Sequence, residues 1–164
     1  MNPVANHRSG PKPILGCLLA VLLSLGAGTV QAQSGRFSIS PTGDTVVDSK
    51  TNLTWSRCSV GQTWANNACS GTATPMSYDQ AMAYAKSQPG GWRLPDAKEL
   101  VGLVDRERTS PSIDVVTFPG TALNGYWTSS PMVGDPDASW AVNFITGALF
   151  YSFRDNVHPV RLVK

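Results

Sequence analysis

The sequence predicts an α+β domain in which two helices pack on a mainly antiparallel sheet and hairpins. Two mid-chain stretches space their apolar residues as helices do, and each follows a capping box, the reciprocal pairing of side chains and backbone that starts a helix. Strand-like alternation flanks this pair on both sides, from Phe37 to Trp55 and again from Tyr126 to Val163. The strands come in groups and do not alternate one for one with helices, which argues against a parallel strand–helix repeat.

Residues 1–32 read as a signal peptide. His7, Arg8 and Lys12 form a basic head, Leu15 to Leu25 is apolar apart from Gly16 and Ser24, and Val30-Gln31-Ala32 places cleavage after Ala32. The run is shorter than the roughly 20 residues of a membrane span, and no second run follows. Leu15-Gly16-Cys17 is a poor lipoprotein box, because its cysteine opens the apolar run instead of following it. Residues 33–164 are then one domain, expected to be secreted, periplasmic or on the cell surface, with no transmembrane span after cleavage. Of the 13 Lys and Arg residues, Arg8 and Lys12 leave with the leader, so 11 basic residues face 11 acidic ones. That balance argues against nucleic acid or an anionic membrane as partner.

Phe37-Ser38-Ile39 alternates as a short strand, and Thr45-Val46-Val47 with Leu53-Thr54-Trp55 forms an early hairpin. Ser56 to Pro75 is a long loop carrying Cys58 and Cys69, an even, close pair best read as a disulfide in an oxidising compartment. Their spacing excludes a CxxC redox pair, and further zinc ligands are hard to find. Ser77 to Ser87 is the first helix, with Ser77 and Gln80 as its capping box and Ala81, Met82, Tyr84 and Ala85 as its buried stripe. Gly90 and Gly91 end it. Trp92 to Leu94 is extended, because Leu94 precedes a proline. Asp96 and Glu99 cap a second helix whose inner face is Leu100, Val101, Leu103 and Val104. Asp105 to Arg108 is its solvated end, Ser110 to Gly125 a second long loop, and Tyr126-Trp127-Thr128 a strand. Trp140 to Phe144 and Ala148 to Phe153 make a hairpin around Thr146-Gly147, and Val160 to Val163 closes the sheet.

Catalytic and metal chemistry is sparse. The expected mature part has one histidine, His158, which reads as a surface or strand-end residue, and no nucleophile elbow or phosphate-cradling glycine motif is present. Asp135 and Asp137 are weak candidates for calcium, since an acidic turn with proline is usually only a turn. The aromatics are the remaining signal: Trp55, Trp64, Trp92, Trp127 and Trp140 suit both core packing and the apolar face of a sugar. Most belong in the core. Trp64, in the polar disulfide loop, is expected to be at least partly exposed.

In order, Gly43 to Asp48, Thr51 to Trp55, Ala81 to Ala85, Gly91 to Pro95 with Glu99-Leu100, Phe118-Pro119, Tyr126 to Ser130, Ser139 to Val142 with Phe144 and Gly147, and Val160 to Lys164 resemble the Lcl C-terminal domain family. The resemblance covers about Phe37 to the last residue. It implies a fold similar to the C-type lectin and formylglycine-generating enzyme group, an exported bacterial protein and, for the founding member, attachment to sulfated polysaccharides. The motif residues Trp92, Arg93, Leu94, Pro95, Glu99, Leu100, Tyr126, Trp127, Trp140 and Arg161 are expected to be structural, with Trp92 and Leu94 in the core and Arg93 paired to a buried carbonyl or carboxylate. This chain lacks a collagen-like tract, carries Leu162 where the family usually has a cysteine, and lacks the calcium-lectin sugar motifs, so calcium-dependent sugar binding does not carry over.

The expected function is a non-catalytic binding module that recognises a glycan or a cell-surface protein through its long loops, without a cofactor. Trp64 is the aromatic candidate, and an anionic glycan is indicated if Arg106, Arg108, Arg154 and Lys164 converge. A structural subunit of a pilus or envelope assembly is the alternative, and an enzyme comes third.

Overall fold

The computed structural model describes Met1 and residues 35–164, so the expected signal peptide lies outside the described residues. Strands β1 (Phe37–Ile39), β2 (Thr45–Asp48) and β3 (Leu53–Ser56) form one antiparallel sheet in chain order. Asn52 turns the β2–β3 hairpin at φ 58°, a conformation asparagine tolerates better than most residues. The stretch from Ser56 to Pro75, expected to be irregular, contains a hairpin of β4 (Thr63–Ala65) and β5 (Ala68–Ser70). Asn66 and Asn67 both have positive φ, 51° and 59°, as the tightest hairpin turns require. Trp64 pairs with Cys69 in this ribbon, and Cys69 is bonded to Cys58 as expected.

Helix α1 (Tyr78–Ser87) starts at the expected Ser77–Gln80 capping box. It buries Tyr78, Ala81 and Ala85, while Met82 is exposed, a correction to the expected stripe. The helix stops at Ser87 with Gln88 already extended, so Gly90 and Gly91, at φ 83° and 80°, form the following turn and not the cap itself. Helix α2 (Ala97–Val101) is capped by Asp96 and Glu99 but is shorter than expected. Leu103 and Val104 follow it through three-residue turns onto Leu100 and Val101, which still delivers Leu103 to the core.

Strands β6 (Gly125–Pro131), β7 (Ala138–Asn143) and β8 (Ala148–Phe153) form the third antiparallel sheet. Successive strand residues face opposite sides. Tyr126 and Val142 accordingly join one core with Val46, Trp55, Leu100, Phe118 and Val163, while their neighbours Trp127 and Ala141 join a second with Tyr78, Ala81, Leu94 and Val160. Both faces of β6 and β7 are therefore covered, in keeping with the absence of charged residues from these two strands.

The expected closing strand, Val160–Val163, is a buried strap held by isolated bridges. Thr54 and Lys164 exchange two backbone hydrogen bonds of 2.8 and 2.9 Å, Ser56 N–H donates to Leu162 O at 3.0 Å, and Arg93 and Val163 exchange another pair on the strap's other side. The end of the chain thus lies between β3 and the Trp-Arg-Leu-Pro segment. Trp92 and Trp140 are only half-buried, against the core position expected for Trp92.

Candidate functional site

The Trp-Arg-Leu-Pro corner is held by charge and by burial. Arg93 grips Glu99 with two hydrogen bonds, 2.8 and 2.7 Å, while the same carboxylate accepts from Asp96 N–H at 2.7 Å to complete the helix cap. The hydrogen bond from Arg93, against some cost of burial, holds the Glu99 carboxyl below its ordinary range. Arg93 Nη1 also donates to the carbonyl of buried Leu94 at 3.2 Å, so its partners are a half-buried carboxylate and a carbonyl, the kinds of acceptor expected. Leu94 is buried, and Pro95 O accepts from Ser129 N–H at 2.7 Å, tying the corner to β6.

Arg161 is fully buried without a carboxylate among its hydrogen-bond partners. It donates to Ser56 O and Arg57 O, and to Thr121 Oγ1 at 2.9 Å, with Phe118 and Tyr126 beside its guanidinium. Burial lowers its pKa from the ordinary arginine value. Arg57 is handled the same way: Nε donates to Thr117 O at 2.7 Å, Nη1 to Gly43 O at 2.6 Å and Nη2 to Val116 O at 2.8 Å. Between them the two arginines fasten the second long loop to β3 and the strap.

Arg57 also supports a surface where aromatic and polar groups meet in a cleft. Its guanidinium carbon lies 4.2 Å from the Trp64 ring centroid, within cation–π range. Gly43 supports the same indole: at φ 80°, it has no side chain, and a Cβ there would sit 2.8 Å from Trp64 Nε1. Trp64 is therefore held by a fixed cation and a glycine backbone. It lines a cleft of about 520 Å³ together with Trp92, Asp44, Ser56, Gln62 and Gln88. Trp92 carries the Lys164 ammonium 4.7 Å from its ring centroid and also borders an apolar cavity beside α1, near Met82 and Leu94. Both tryptophans are half-buried, Trp64 as expected.

Asp44 is the charged group of the cleft lining. Its Oδ1 accepts from Thr42 Oγ1 at 2.6 Å and from Ser40 Oγ at 3.3 Å, and the Thr42 contact above all keeps its pKa below the ordinary carboxylate value. Gln62 is fixed by Ser59 N–H, which donates to its Oε1, and by Gly120 O, which accepts from its Nε2, both at 3.0 Å. Gln88 Nε2 donates to Tyr84 O at 3.4 Å.

The cationic candidates do not gather into one patch. Arg106 borders a mixed-sign cavity with Arg36, Asp105, Glu107 and Asp114, and Arg108 is paired with Asp105 at 2.8 Å. Arg154 lies over Tyr78 and lines a cavity with Asp79, Asp137 and Asp155. Lys164 sits at Trp92. These are three separate surroundings, which removes the basis for an anionic-glycan patch built from all four.

Asp135 Oδ1 accepts from Asp137 N–H at 3.0 Å, so the acidic turn uses this carboxylate to shape itself. No cluster of three or more metal-ligating side chains occurs among the described residues. His158 is wedged edge-on against Trp127 and Phe150, with Nε2 2.8 Å from Ser152 Oγ and Nδ1 without a partner among the described residues. Burial lowers its pKa. Among the described residues no helix is long and apolar enough to cross a membrane.

The sequence indicated Trp64 but not its partners in the cleft. Asp44, Gln62 and Gln88 are scattered along the chain and bear no common spacing; Trp92 was visible only as a motif residue. The Asn66-Asn67 turn was the available signal that Trp64 lies on a ribbon and not in an open loop.

The fold and the cleft together define a disulfide-stapled α+β domain with an aromatic-lined surface site. The chain belongs to the Lcl C-terminal domain family, whose profile matches residues 44–164. No curated protein matches the chain, and neither does any solved structure.

Proposed function

We propose that this chain is an exported, non-catalytic binding module of C-type-lectin-like fold that recognises a glycan in the Trp64–Trp92 cleft. The observation that carries this reading is the meeting of two half-exposed indoles with a carboxylate and two side-chain amides in one cleft of about 520 Å³. Indole faces cover the C–H faces of sugar rings, while fixed carboxylate and amide groups take the ring hydroxyls. A cleft of that volume falls within the usual range of small-ligand sites, roughly 300–1,000 Å³. Neither a cofactor nor calcium is part of this reading. Export follows from the leader expected over residues 1–32, and the secreted, periplasmic or cell-surface location with it.

The test is a glycan array probed with the purified chain and with Trp64→Ala. Saturable binding that the variant loses supports the reading, and binding equal in both proteins overturns the cleft as its site.

A second reading, a subunit of a pilus or envelope assembly, has its own observation. β8 is an edge strand without a charged residue, and Leu149, Tyr151 and Phe153 are 44%, 52% and 53% exposed. Edge strands of that kind invite pairing with another chain. Co-purification of a partner that Tyr151→Lys abolishes, beside a blank glycan array, would favour it.

A further inference from the structure

Resting on the glycan reading above, we infer that the Trp64–Trp92 cleft selects uncharged, hydroxyl-rich sugar rings and discriminates against sulfated or carboxylated chains. The cleft lining contains hydroxyls, amides, two indoles and one charged side chain, the carboxylate of Asp44. Asp44 is exposed, and its Oδ1 accepts from Thr42 and Ser40, while Oδ2 accepts no side-chain hydrogen bond from the described residues. A carboxylate held by neighbouring hydroxyls, with an oxygen to spare, accepts from sugar hydroxyls. Beside a sulfate it is a like charge, which raises the cost of binding.

The cations near the cleft do not offset this. Arg57 has each of its three nitrogens committed to a backbone carbonyl, lies against the Trp64 ring and is buried. It is therefore a support for the indole and presents no free donor fork to a sulfate. Lys164 stands over Trp92 without joining the cleft lining, and Arg106, Arg108 and Arg154 belong to other surfaces. Gln62 Nε2 is held by Gly120 O and Gly71 O, and Gln88 Nε2 by Tyr84 O and Ser87 Oγ, so the polar groups that remain, threonine hydroxyls of the lining and the Asp44 carboxylate, serve neutral rings.

The experiment titrates the full chain, by tryptophan fluorescence and affinity electrophoresis, with neutral oligosaccharides built from glucose, mannose, galactose and N-acetylglucosamine. Heparin and dextran sulfate serve as the charged probes. Wild type is compared with Asp44→Asn, Trp64→Ala and Trp64→Phe, after thermal melting has shown each variant folded. The expected result is saturable binding of at least one neutral chain that changes less than twofold between about 0.05 and about 0.5 M salt. Asp44→Asn should weaken it about tenfold, Trp64→Ala should abolish it, and Trp64→Phe, which keeps a stacking face, should retain part of it. Binding confined to heparin or dextran sulfate, screened by salt and equal or stronger in Asp44→Asn, overturns the neutral-sugar inference but leaves the glycan reading standing. A blank result with every probe, or binding unaffected by Trp64→Ala, overturns both.

Discussion

Trp55 and Trp127 on one side, Trp64 and Trp92 on the other, show two uses of the same side chain. Trp55 and Trp127 are 1% and 0% exposed. Trp127 sits edge-on to Tyr78 and His158, and its indole N–H donates to Met76 O at 2.8 Å. Trp64 and Trp92 are backed by a guanidinium and an ammonium and are half-buried. The buried pair is enclosed by its neighbours, so the whole ring is spent on stability. In the cleft pair a cation supports the ring while part of it remains accessible. Trp64, placed on the fixed Arg57 guanidinium, is thus positioned without being buried, which suits a contact surface.

The largest test of this contrast is Trp127→Ala, expected to cost about 4 kcal/mol, the usual scale for deleting a large buried aromatic. Denaturant unfolding measures it, and a loss below about 1 kcal/mol would show that the second core can collapse around the gap. Next is Arg161→Met. It keeps much of the volume but strips hydrogen bonds from Ser56 O, Arg57 O and Thr121, and unmet buried acceptors should destabilise the protein by roughly 3 kcal/mol. An unchanged or raised melting temperature would mean instead that desolvation of the guanidinium outweighs those bonds.

The Trp-Arg-Leu-Pro corner gives a smaller effect with a definite sign in pH. The folded Glu99 carboxyl titrates below its ordinary value of 4.5, chiefly through the hydrogen bond from Arg93. Its contribution is therefore complete above the unfolded pKa and fades as pH falls through the lower folded one. Glu99→Gln should be less stable than wild type at neutral pH, and the gap should close on acidification below about pH 4.5. Parallel stability curves for the two proteins across that range would remove the ion pair from the account. Glu99→Ala, which also loses the cap, should cost about 1 kcal/mol at neutral pH by denaturant unfolding.

The smallest change in stability belongs to the cleft. Trp64→Ala should shift unfolding by no more than about 1 kcal/mol, because one face of the ring rests on a guanidinium whose three backbone hydrogen bonds do not need the ring. A loss comparable to that of Trp127→Ala would erase the distinction between the two pairs.

Local rules made much of the frame legible. Capping boxes at Ser77–Gln80 and Asp96–Glu99, the alternation through β7 and β8, and the Cys58–Cys69 pair, 11 residues apart, are each set over short stretches of chain, and each stands in the structure. Helix ends were less legible, since α2 gives way at Gly102 to tighter turns that still place Leu103 in the core. The site was least legible. Its aromatic pair and its carboxylate come from β4, from the segment before α2 and from the turn before β2.

By itself, then, the sequence determined the fold class, the two helix starts, the disulfide and the family. It did so because capping, alternation and close cysteine pairing act over short chain separations. Only the tertiary structure decided that the final strap runs between β3 and the Trp-Arg-Leu-Pro corner, that the four cationic candidates stand apart, and that Trp92 joins Trp64 in one cleft. The setting of the strap and the seat of Trp64 depend on where buried Arg161 and Arg57 find carbonyls on distant segments. A buried guanidinium must satisfy its N–H groups wherever the packed chain offers acceptors, and no local pattern encodes which segment that will be.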